Sequence, residues 1–593
     1  MTGMDRQAKE SQQTERRAGR LARAILVVLA AATGLGLMTD SLMRSSATYD
    51  EVLYLTVAAR WWRTGDQTKI TRAGSPLTFW KLQQVPMLWT LDRLGHGDWI
   101  DHPAEYEVIL LPLARMAALW IWLIALALVV YWSRRLYGSR AMVVSAWWFA
   151  LSPNLLAHGP LITMETPILA AMTGMMLVFW WFLRTGNRRA FVAAAILGGL
   201  AFSCKFTAIL APPIFGLLWF LARWRDGSCR PARLILTVAA GMIGFTAIML
   251  VSDVIITGGA MLTISERTGN HPSFDGKFGP RIGRMLRRIV EASYPQDWAA
   301  FARQTVMQRS GAPSYLFGEI RETGWRYYYL VTLAVKVPLT FWLVAAVRAA
   351  MSRRIPSAGR DWVLPVAAAA FVAIASVGSS RNFGIRYLLP VAPLAIVWIS
   401  GLAEGNRWSR RLVYAGLAAQ ALAIASIHPY ELSYFNVLAG GPIGGRHVLS
   451  DSNLDWGQGL KPLARLQREH PEFRDLTFFY FGDNDPALYG VAGQSYTVRA
   501  GNANKGVPNR LEPRTTYLAV SATLQWGAFA PPGLFSPLNG VEPIRFTDDA
   551  TIAIYRTDDL PGIRSRGESL STSLDGPRSR TLATTQGSAD RSR

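Results

Sequence analysis

The chain has 593 residues and a formal net charge of +22, and 50% of its residues are hydrophobic while only 17% are charged. Soluble domains carry about 25% charged residues, so the composition excludes an ordinary soluble protein and predicts many membrane crossings. The Lys and Arg residues lie in short clusters between apolar segments. This placement indicates membrane orientation and argues against a nucleic-acid-binding protein.

The N-terminal segment is basic. Its first 23 residues hold six basic and three acidic residues and precede an apolar stretch from about Ala24 to Met38. A cleaved signal peptide has a similar plan, but no small-residue cleavage site closes this stretch. We therefore predict a cytoplasmic tail over 1–23 and an uncleaved first helix that leads outward.

Recurring apolar segments predict about eleven membrane crossings within 24–427. Short cytoplasmic loops are rich in Lys and Arg. In this sequence the Arg clusters lie in alternate loops between the predicted crossings, as this rule requires. The predicted crossings are 24–40, 108–132, 141–153, 166–183, 190–204, 206–222, 234–257, 325–347, 362–378, 386–403 and 411–427. With the N-terminus in the cytoplasm, the C-terminal part is extracytoplasmic.

Several of these segments are shorter than the roughly 20 residues of a straight crossing. Pro212 and Pro213 also interrupt the segment at 206–222. Irregular backbone at membrane depth is tolerated where it lines an enclosed cavity. The consecutive segments from 190 to 222 therefore indicate a site near the outer face.

Two long outer loops are predicted, at 41–107 and 258–324, together with a C-terminal region at 428–558 that lacks long apolar runs. This region contains three β-branched or aromatic segments, which predict strands at 476–481, 516–521 and 552–555. We expect a small extracytoplasmic α/β domain there. The Ser-, Thr-, Arg- and Gly-rich tail at 559–593 is predicted to be disordered.

An acidic pair, Asp50 and Glu51, follows the first crossing. Thr48 and Glu51 fit a capping box, in which both side chains satisfy free backbone N–H groups at a helix start. This structural interpretation leaves Asp50 with only the helix dipole as an explanation. Asp50 and Glu51 are therefore candidates for catalysis as well as for capping.

A further acid, Glu165, lies between the third and fourth crossings, on the same predicted face as Asp50. A helix start also explains it, with Thr166 as the cap and Pro167 in the first turn. Two carboxylates at one membrane face, however, suit acid–base chemistry. Glu165 is thus a third candidate catalytic residue.

Four cations lie within or beside predicted crossings, near the outer face, at Lys205, Lys336, Arg381 and Arg386. A charge at membrane depth is costly, and topology signals concentrate cations on the inner side. Lys205 could simply extend to the interface. The alternative is that the cluster binds a lipid phosphate through charge-assisted hydrogen bonds.

Three segments resemble known ligand-binding motifs incompletely. Asp451-x-Asn453-x-Asp455 begins like an EF-hand loop, but Trp456 stands where Gly is needed. The Gly-rich stretch 440–445 lacks the Lys-Ser/Thr of a phosphate loop. Asp-Asn-Asp at 483–485 is similar to the metal-binding motif of nucleotide-sugar transferases, whose donors are cytosolic. We predict no metal site and no cofactor, although the Asp50–Glu51 pair leaves divalent-cation binding open.

Six segments together resemble bacterial members of glycosyltransferase family 39, by their order and their spacing relative to the crossings. They are Tyr-Asp-Glu at 49–51, Ser-Pro-Asn-Leu-Leu-Ala-His-Gly at 152–159, Lys-Val-Pro at 336–338, Ile-Arg-Tyr-Leu-Leu-Pro at 385–390, His-Pro-Tyr-Glu-Leu-Ser-Tyr-Phe-Asn at 428–436 and Asp-Ser-Asn-Leu-Asp-Trp-Gly-Gln at 451–458. The family contains relatives of protein O-mannosyltransferases and of the aminoarabinose transferases of lipid A. The resemblance implies a polytopic α-helical membrane protein with the GT-C fold.

The resemblance also implies roles for single residues. The family's presumed base, an Asp in the first outer loop, corresponds to Asp50, with Glu51 beside it as in the family. Lys205 and Arg386 match positions expected near the donor phosphate, and Arg381 and Lys336 are further candidates. The second outer-loop acid of the family is commonly Asp, so Glu165 departs from the pattern.

The implied activity is the inverting transfer of a sugar from a polyprenyl-phosphate donor to an extracytoplasmic protein, lipid or glycan acceptor, at the inner or plasma membrane. The alternatives are a transporter or flippase of lipid-linked glycans and an inactive partner subunit. Transporters place ionisable residues near the membrane midplane and often use repeated halves. Here the candidates lie at the outer edge and the sequence shows no repeat, so we favour the enzyme.

Overall fold

The computed structural model describes residues 3–66, 75–76, 78–227, 231–259, 261–263, 293–499, 507–527 and 529–561. Helices dominate the part before residue 428. They are α1 (Gly3–Arg44), α2 (Tyr49–Thr64), α3 (Thr78–Arg93), α4 (Gly97–Asp101), α5 (Glu107–Leu136), α6 (Ser139–Ala150), α7 (Pro153–His158), α8 (Glu165–Thr185), α9 (Arg188–Cys204), α10 (Ala211–Arg225), α11 (Pro231–Ile256), α12 (Gln296–Ser310), α13 (Tyr328–Lys336), α14 (Leu339–Ala350), α15 (Val363–Gly378), α16 (Val391–Ser400) and α17 (Arg407–Ala425). The loop at 258–324 adds two short antiparallel strand pairs, β1 (Met261–Thr263) with β2 (Ser293–Pro295) and β3 (Ser314–Leu316) with β4 (Glu319–Arg321).

Within the described residues, five helices are long and apolar enough to cross a membrane. They are the part of α1 from Arg17, then α5, α8, the combined segment Phe206–Arg225, and α11. These helices confirm a multi-pass membrane protein. The other predicted crossings also coincide with helices, but α6, α15 and α16 are shorter than a straight span. The count of about eleven crossings stays a prediction.

The predicted crossing at 325–347 is bent in the middle. The chain forms two helices there, α13 and α14, whose axes bend by 106° at the break between them. Val337 is extended, with φ −104° and ψ 134°, and Pro338 follows it. Because proline disfavours a helical conformation in the residue before it and has no N–H to donate, the helix ends here.

Between 190 and 222 the chain breaks at Lys205 and not at the predicted position, Pro212 and Pro213. Helix α9 ends at Cys204, Lys205 is extended with φ −159° and ψ 134°, and a 3₁₀ turn at Phe206–Leu210 leads into α10. Pro212 and Pro213 lie in the first turn of α10, where a missing N–H is harmless. The chain therefore presents Lys205 at a break between two helices.

Close helix packing holds the membrane part together. Gly199 of α9 lies so close to α11 that a methyl group there would be 2.6 Å from the Met249 carbonyl oxygen. Four tryptophans, Trp122, Trp132, Trp148 and Trp180, are almost completely buried in the same core. Large buried side chains at this density fix the helices that carry the candidate site residues.

The predicted C-terminal α/β domain is confirmed. Its five strands, in the order β6-β5-β7-β9-β8, form one sheet in which β5 is parallel to β6 and β7, while β9 is antiparallel to β7 and β8. The strands are β5 (Leu476–Phe481), β6 (Gln494–Val498), β7 (Tyr517–Ser521), β8 (Arg545–Phe546) and β9 (Ile552–Arg556), and the helices are α18 (Gly441–Gly445), α19 (Leu460–Glu469) and α20 (Ala522–Trp526). Aromatic and β-branched residues bury both faces of β5. Most of the tail predicted to be disordered lies outside the described residues.

Candidate active site

The start of α2 is fixed by a capping box and a buried ion pair. The Thr48 N–H and hydroxyl both donate to Glu51 Oε2, at 2.9 and 3.0 Å, as the sequence predicts. Arg115 of α5 donates to both Glu51 oxygens, at 2.9 Å from Nε and 2.6 Å from Nη2, and both side chains have no exposed surface. The Ile162 N–H also donates to Glu51 Oε1 at 3.1 Å. Glu51 therefore joins α2, α5 and the segment before α8.

The charge of this buried glutamate is retained. Burial opposes its ionisation, but the Arg115 guanidinium and the backbone N–H donors hold the pKa of Glu51 below its usual value. Arg115 also donates to the carbonyl oxygens of Leu42 and Ser46 at the end of α1. A carboxylate and guanidinium with this many partners keep the neighbouring Asp50 in a fixed place.

Asp50, the first candidate base, forms an ion pair with Arg386. The Arg386 Nη1 atom lies 2.8 Å from Asp50 Oδ2, and the side chains are 11% and 26% exposed. Arg386 lies in a 3₁₀ turn at Ile385–Leu388 that follows Gly384, whose φ of +98° favours glycine. Residues 336 positions apart in the chain are thus joined at one partly open site.

Glu165 and Lys205 form a second ion pair. The Lys205 Nζ atom lies 2.9 Å from Glu165 Oε1, and the two side chains are almost buried. The ammonium also lies 4.2 Å from the centroid of the Tyr387 ring. Since Tyr387 follows Arg386 in the chain, one short turn contacts both ion pairs.

Tyr54 of α2 links the two carboxylates electrostatically. Burial raises the pKa of Tyr54, and the nearby carboxylates of Asp50 and Glu165 raise it further. Asp50 and Glu165 therefore share Tyr54 as a neighbour. The phenol stays protonated at neutral pH.

A cavity of about 270 Å³ opens beside Lys205 of the second ion pair. Lys205, Met164 and Tyr387 lie at its wall, and the rest is mostly apolar. The apolar lining includes Phe206, Ile209, Leu210, Phe301, Phe371 and Ile374. A cavity with one cation and an apolar body suits an amphiphile that carries an anionic head.

Two predicted phosphate-binding cations have other surroundings. Lys336 is buried and donates to the backbone carbonyl oxygens of Leu432 and Asn453, at 3.0 and 2.5 Å. The guanidinium of Arg381 lies 4.9 Å from the centroid of the Phe383 ring, and among the described residues no group pairs with its buried Nε. The structure therefore brings Asp50, Glu165, Lys205 and Arg386 together, while Lys336 is engaged elsewhere.

Sequence reasoning assigned no role to Arg115, Trp456 or His158, although the last two lie in segments that carry the family resemblance. Arg115 is the only charged residue between the two ends of a 30-residue apolar helix, which is itself a signal for a buried partner. Trp456 packs its ring 4.3 Å from the Arg386 guanidinium, a contact that no local pattern reveals. His158 is buried beside Trp456, and burial lowers its pKa to about 3, so its imidazole is neutral.

The described residues contain no group of three or more His, Cys, Asp or Glu side chains that could hold a metal ion. The carboxylates at the site are instead paired with Arg386 and Lys205. Charge neutralisation here comes from the chain's own cations.

Residues 111–251 match the model of the family described as dolichyl-phosphate-mannose-protein mannosyltransferase. The predicted family resemblance is confirmed over this segment. The match includes Glu165 and Lys205 and supports the GT-C fold for this part of the chain, whereas Asp50 and Arg386 lie outside it. No curated protein sequence matches the chain.

Two solved structures are similar to the chain over most of its length. ArnT from Cupriavidus metallidurans, bound to undecaprenyl phosphate, has 14% identity and a TM-score of 0.46, with 90% of this chain and 98% of that chain covered. The archaeal oligosaccharyltransferase AglB from Archaeoglobus fulgidus, in complex with an inhibitory peptide and a dolichol-phosphate, has 14% identity and a TM-score of 0.40. Here 87% of this chain and 72% of that chain are covered.

Proposed function

We propose that the protein is a membrane glycosyltransferase that moves a sugar from a polyprenyl-phosphate donor to an extracytoplasmic acceptor. The observation that carries this proposal is a set of two neighbouring ion pairs, Asp50–Arg386 and Glu165–Lys205. Lys205 also lines a mostly apolar cavity. The family match over 111–251 supports the reaction class. A prenyl chain fits the apolar lining, and its phosphate fits the two cations.

In the proposed reaction, an acceptor hydroxyl or amine attacks the anomeric carbon of the donor sugar as the bond from that carbon to the phosphate oxygen breaks. The electron pair of this bond leaves with the polyprenyl phosphate. Attack from the opposite side inverts the anomeric centre. The acceptor's proton passes to Asp50, which must be within hydrogen-bond reach of the acceptor.

The cations stabilise the leaving phosphate. A phosphate that approaches Arg386 competes with Asp50 for the same guanidinium, because one of its N–H groups now donates to Asp50. Phosphate binding would therefore free the carboxylate to accept a proton. Lys205 supplies a second charge-assisted contact while Glu165 orients it, and a site with little water strengthens both.

The contacts of Glu51, Lys336 and Arg381 indicate a different role for each. Glu51 is fully engaged by Arg115 and backbone donors, so we assign it a positioning role for Asp50. Lys336 ties α13 to the C-terminal domain. Arg381 is the better candidate for a further phosphate contact, because its guanidinium has a buried nitrogen with no partner among the described residues.

The experiment is a transfer assay with purified protein in nanodiscs, a panel of polyprenyl-phosphate sugars and protein, lipid and glycan acceptors. Asp50→Asn should reduce the rate at saturating substrates by about a hundredfold or more, as expected on loss of a general base. Asp101→Asn is the matched control, since this carboxylate lies in the same outer loop but pairs with Arg63. Full activity of Asp50→Asn would show that Asp50 is not the general base. Facilitated lipid movement without transfer would favour a flippase.

A further inference from the structure

The loop Asp451–Gln458 of the C-terminal domain is inserted between two segments of the candidate active site. The Tyr49 N–H donates to the Trp456 carbonyl oxygen at 2.7 Å, next to Asp50. The Ile385 N–H donates to Asn453 Oδ1 at 3.0 Å, next to Arg386. The loop therefore touches the chain on both sides of the Asp50–Arg386 ion pair.

Trp456 contacts the active-site guanidinium itself. The Arg386 Cζ atom lies 4.3 Å from the centroid of the Trp456 ring, and the ring is only 1% exposed. A guanidinium over a tryptophan face is held by a cation–π interaction, which is strongest where water is excluded. Unlike a carboxylate, the ring provides no full counter-charge. Arg386 can thus be held in place and still attract an anion.

The loop is itself fixed by Thr523 at the start of α20. Thr523 donates from its N–H to Asp455 Oδ2 at 3.0 Å and from its hydroxyl to the Asp455 carbonyl oxygen at 2.6 Å. The same hydroxyl accepts from the Asp451 N–H at 3.1 Å. Asp451 has a φ of +57°, an uncommon conformation for a residue other than glycine. Several contacts thus converge to hold this loop in one shape.

We propose that Trp456 is a positioning residue for the donor phosphate, and that the C-terminal domain forms a wall of the reaction site through the Asp451–Gln458 loop. The inference rests on the proposed function. Trp456 keeps the Arg386 guanidinium in place while this guanidinium releases the Asp50 carboxylate and binds the donor phosphate. Removal of the ring should weaken donor binding through Arg386, without a direct effect on the acceptor.

The test compares Trp456→Ala and Trp456→Phe in the full-length protein in nanodiscs. Equilibrium binding of undecaprenyl phosphate should weaken about tenfold in Trp456→Ala and be largely restored in Trp456→Phe, as expected for loss and partial recovery of a cation–π contact. The donor KM should rise in parallel while the acceptor KM stays constant. Trp89→Ala is the matched control, because it removes a second Arg–Trp contact, with Arg93, outside the site.

A double-mutant cycle separates positioning from a general effect on folding. If Trp456 acts through Arg386, Trp456→Ala should cause no further loss of undecaprenyl phosphate binding in an Arg386→Gln background. Additive losses, or unchanged donor binding in a Trp456→Ala protein, would overturn the inference. Trp456→Leu, which also removes the ring but leaves a larger apolar side chain, serves in both arms if the alanine variant does not fold. A wild-type protein that neither binds the carrier nor transfers sugar would overturn the proposed function and this inference with it.

Discussion

At the scale of single residues, the acidic pair shows how two neighbouring carboxylates acquire different roles. Asp50 is partly exposed and forms an ion pair with Arg386. Glu51 has no exposed surface and accepts from Arg115, Thr48 and Ile162. Because a base needs access to its proton donor, the geometry favours Asp50 for chemistry and Glu51 for structure.

Glu51→Gln should therefore destabilise the protein. The substitution leaves Arg115 buried without a counter-charge, and breaking a buried pair in this way costs about 3–5 kcal/mol. We expect a clear fall in melting temperature and in the yield of folded protein in detergent. Asp101→Asn, at an exposed ion pair, should change stability by less than about 1 kcal/mol. A Glu51→Gln protein with wild-type stability and no transferase activity would instead indicate a direct chemical role.

At the scale of elements, breaks in regular structure place the functional groups. Lys205 lies at the break between α9 and the following 3₁₀ turn, and Arg386 lies in the short turn between α15 and α16. Arg386 contacts Trp456 of the loop that leads into α19. Lys205 lines the cavity. Side chains at helix breaks can point into an enclosed site, whereas the helix interiors supply packing.

The Asp451–Gln458 loop should respond to pH through Asp455. Burial raises the pKa of Asp455 to about 7, against about 3.9 in an unfolded chain. Between these pH values the folded loop binds more protons than the unfolded chain. The stability that protonated Asp455 contributes is therefore fully present below about pH 4 and is lost as the pH rises through about 7. Hydrogen-exchange protection of the loop should fall over that interval.

Asp455→Asn provides the comparison, because its side chain cannot titrate. Protection of residues 451–458, corrected for intrinsic exchange, should depend less on pH in Asp455→Asn than in the wild type. Asp483→Asn is the control, since Asp483 lies in the same domain and pairs with Arg499. Identical pH slopes in the wild type and Asp455→Asn would show that Asp455 does not control the loop.

At the scale of the whole molecule, the sequence predicts elements far better than the contacts between them. Apolar runs locate the helices and β-branched runs locate β5, β7 and β9, because both signals are local. The bend before Pro338 also has a local cause, because proline disfavours a helical conformation in the residue before it. The pairing of Asp50 with Arg386, by contrast, joins residues 336 positions apart, and only the folded chain brings Trp456 against them.

The orientation of the whole chain provides the last prediction. The Asp451–Gln458 loop contacts the site, so the C-terminal domain and Asp50 must lie on one side of the membrane. The Arg-rich turn between α8 and α9 should lie on the cytoplasmic side, since positive residues concentrate there. In a Cys229→Ser background, where Cys204 is buried, we introduce Ser536→Cys in the C-terminal domain or Thr185→Cys in that turn. A membrane-impermeant maleimide should label Ser536→Cys in intact spheroplasts and Thr185→Cys only after lysis. The reverse pattern would place the site in the cytoplasm and contradict a donor presented on the outer face. Labelling of both cysteines before lysis would show that the spheroplasts leak, so a cytoplasmic marker protein is included as a control for intact membranes.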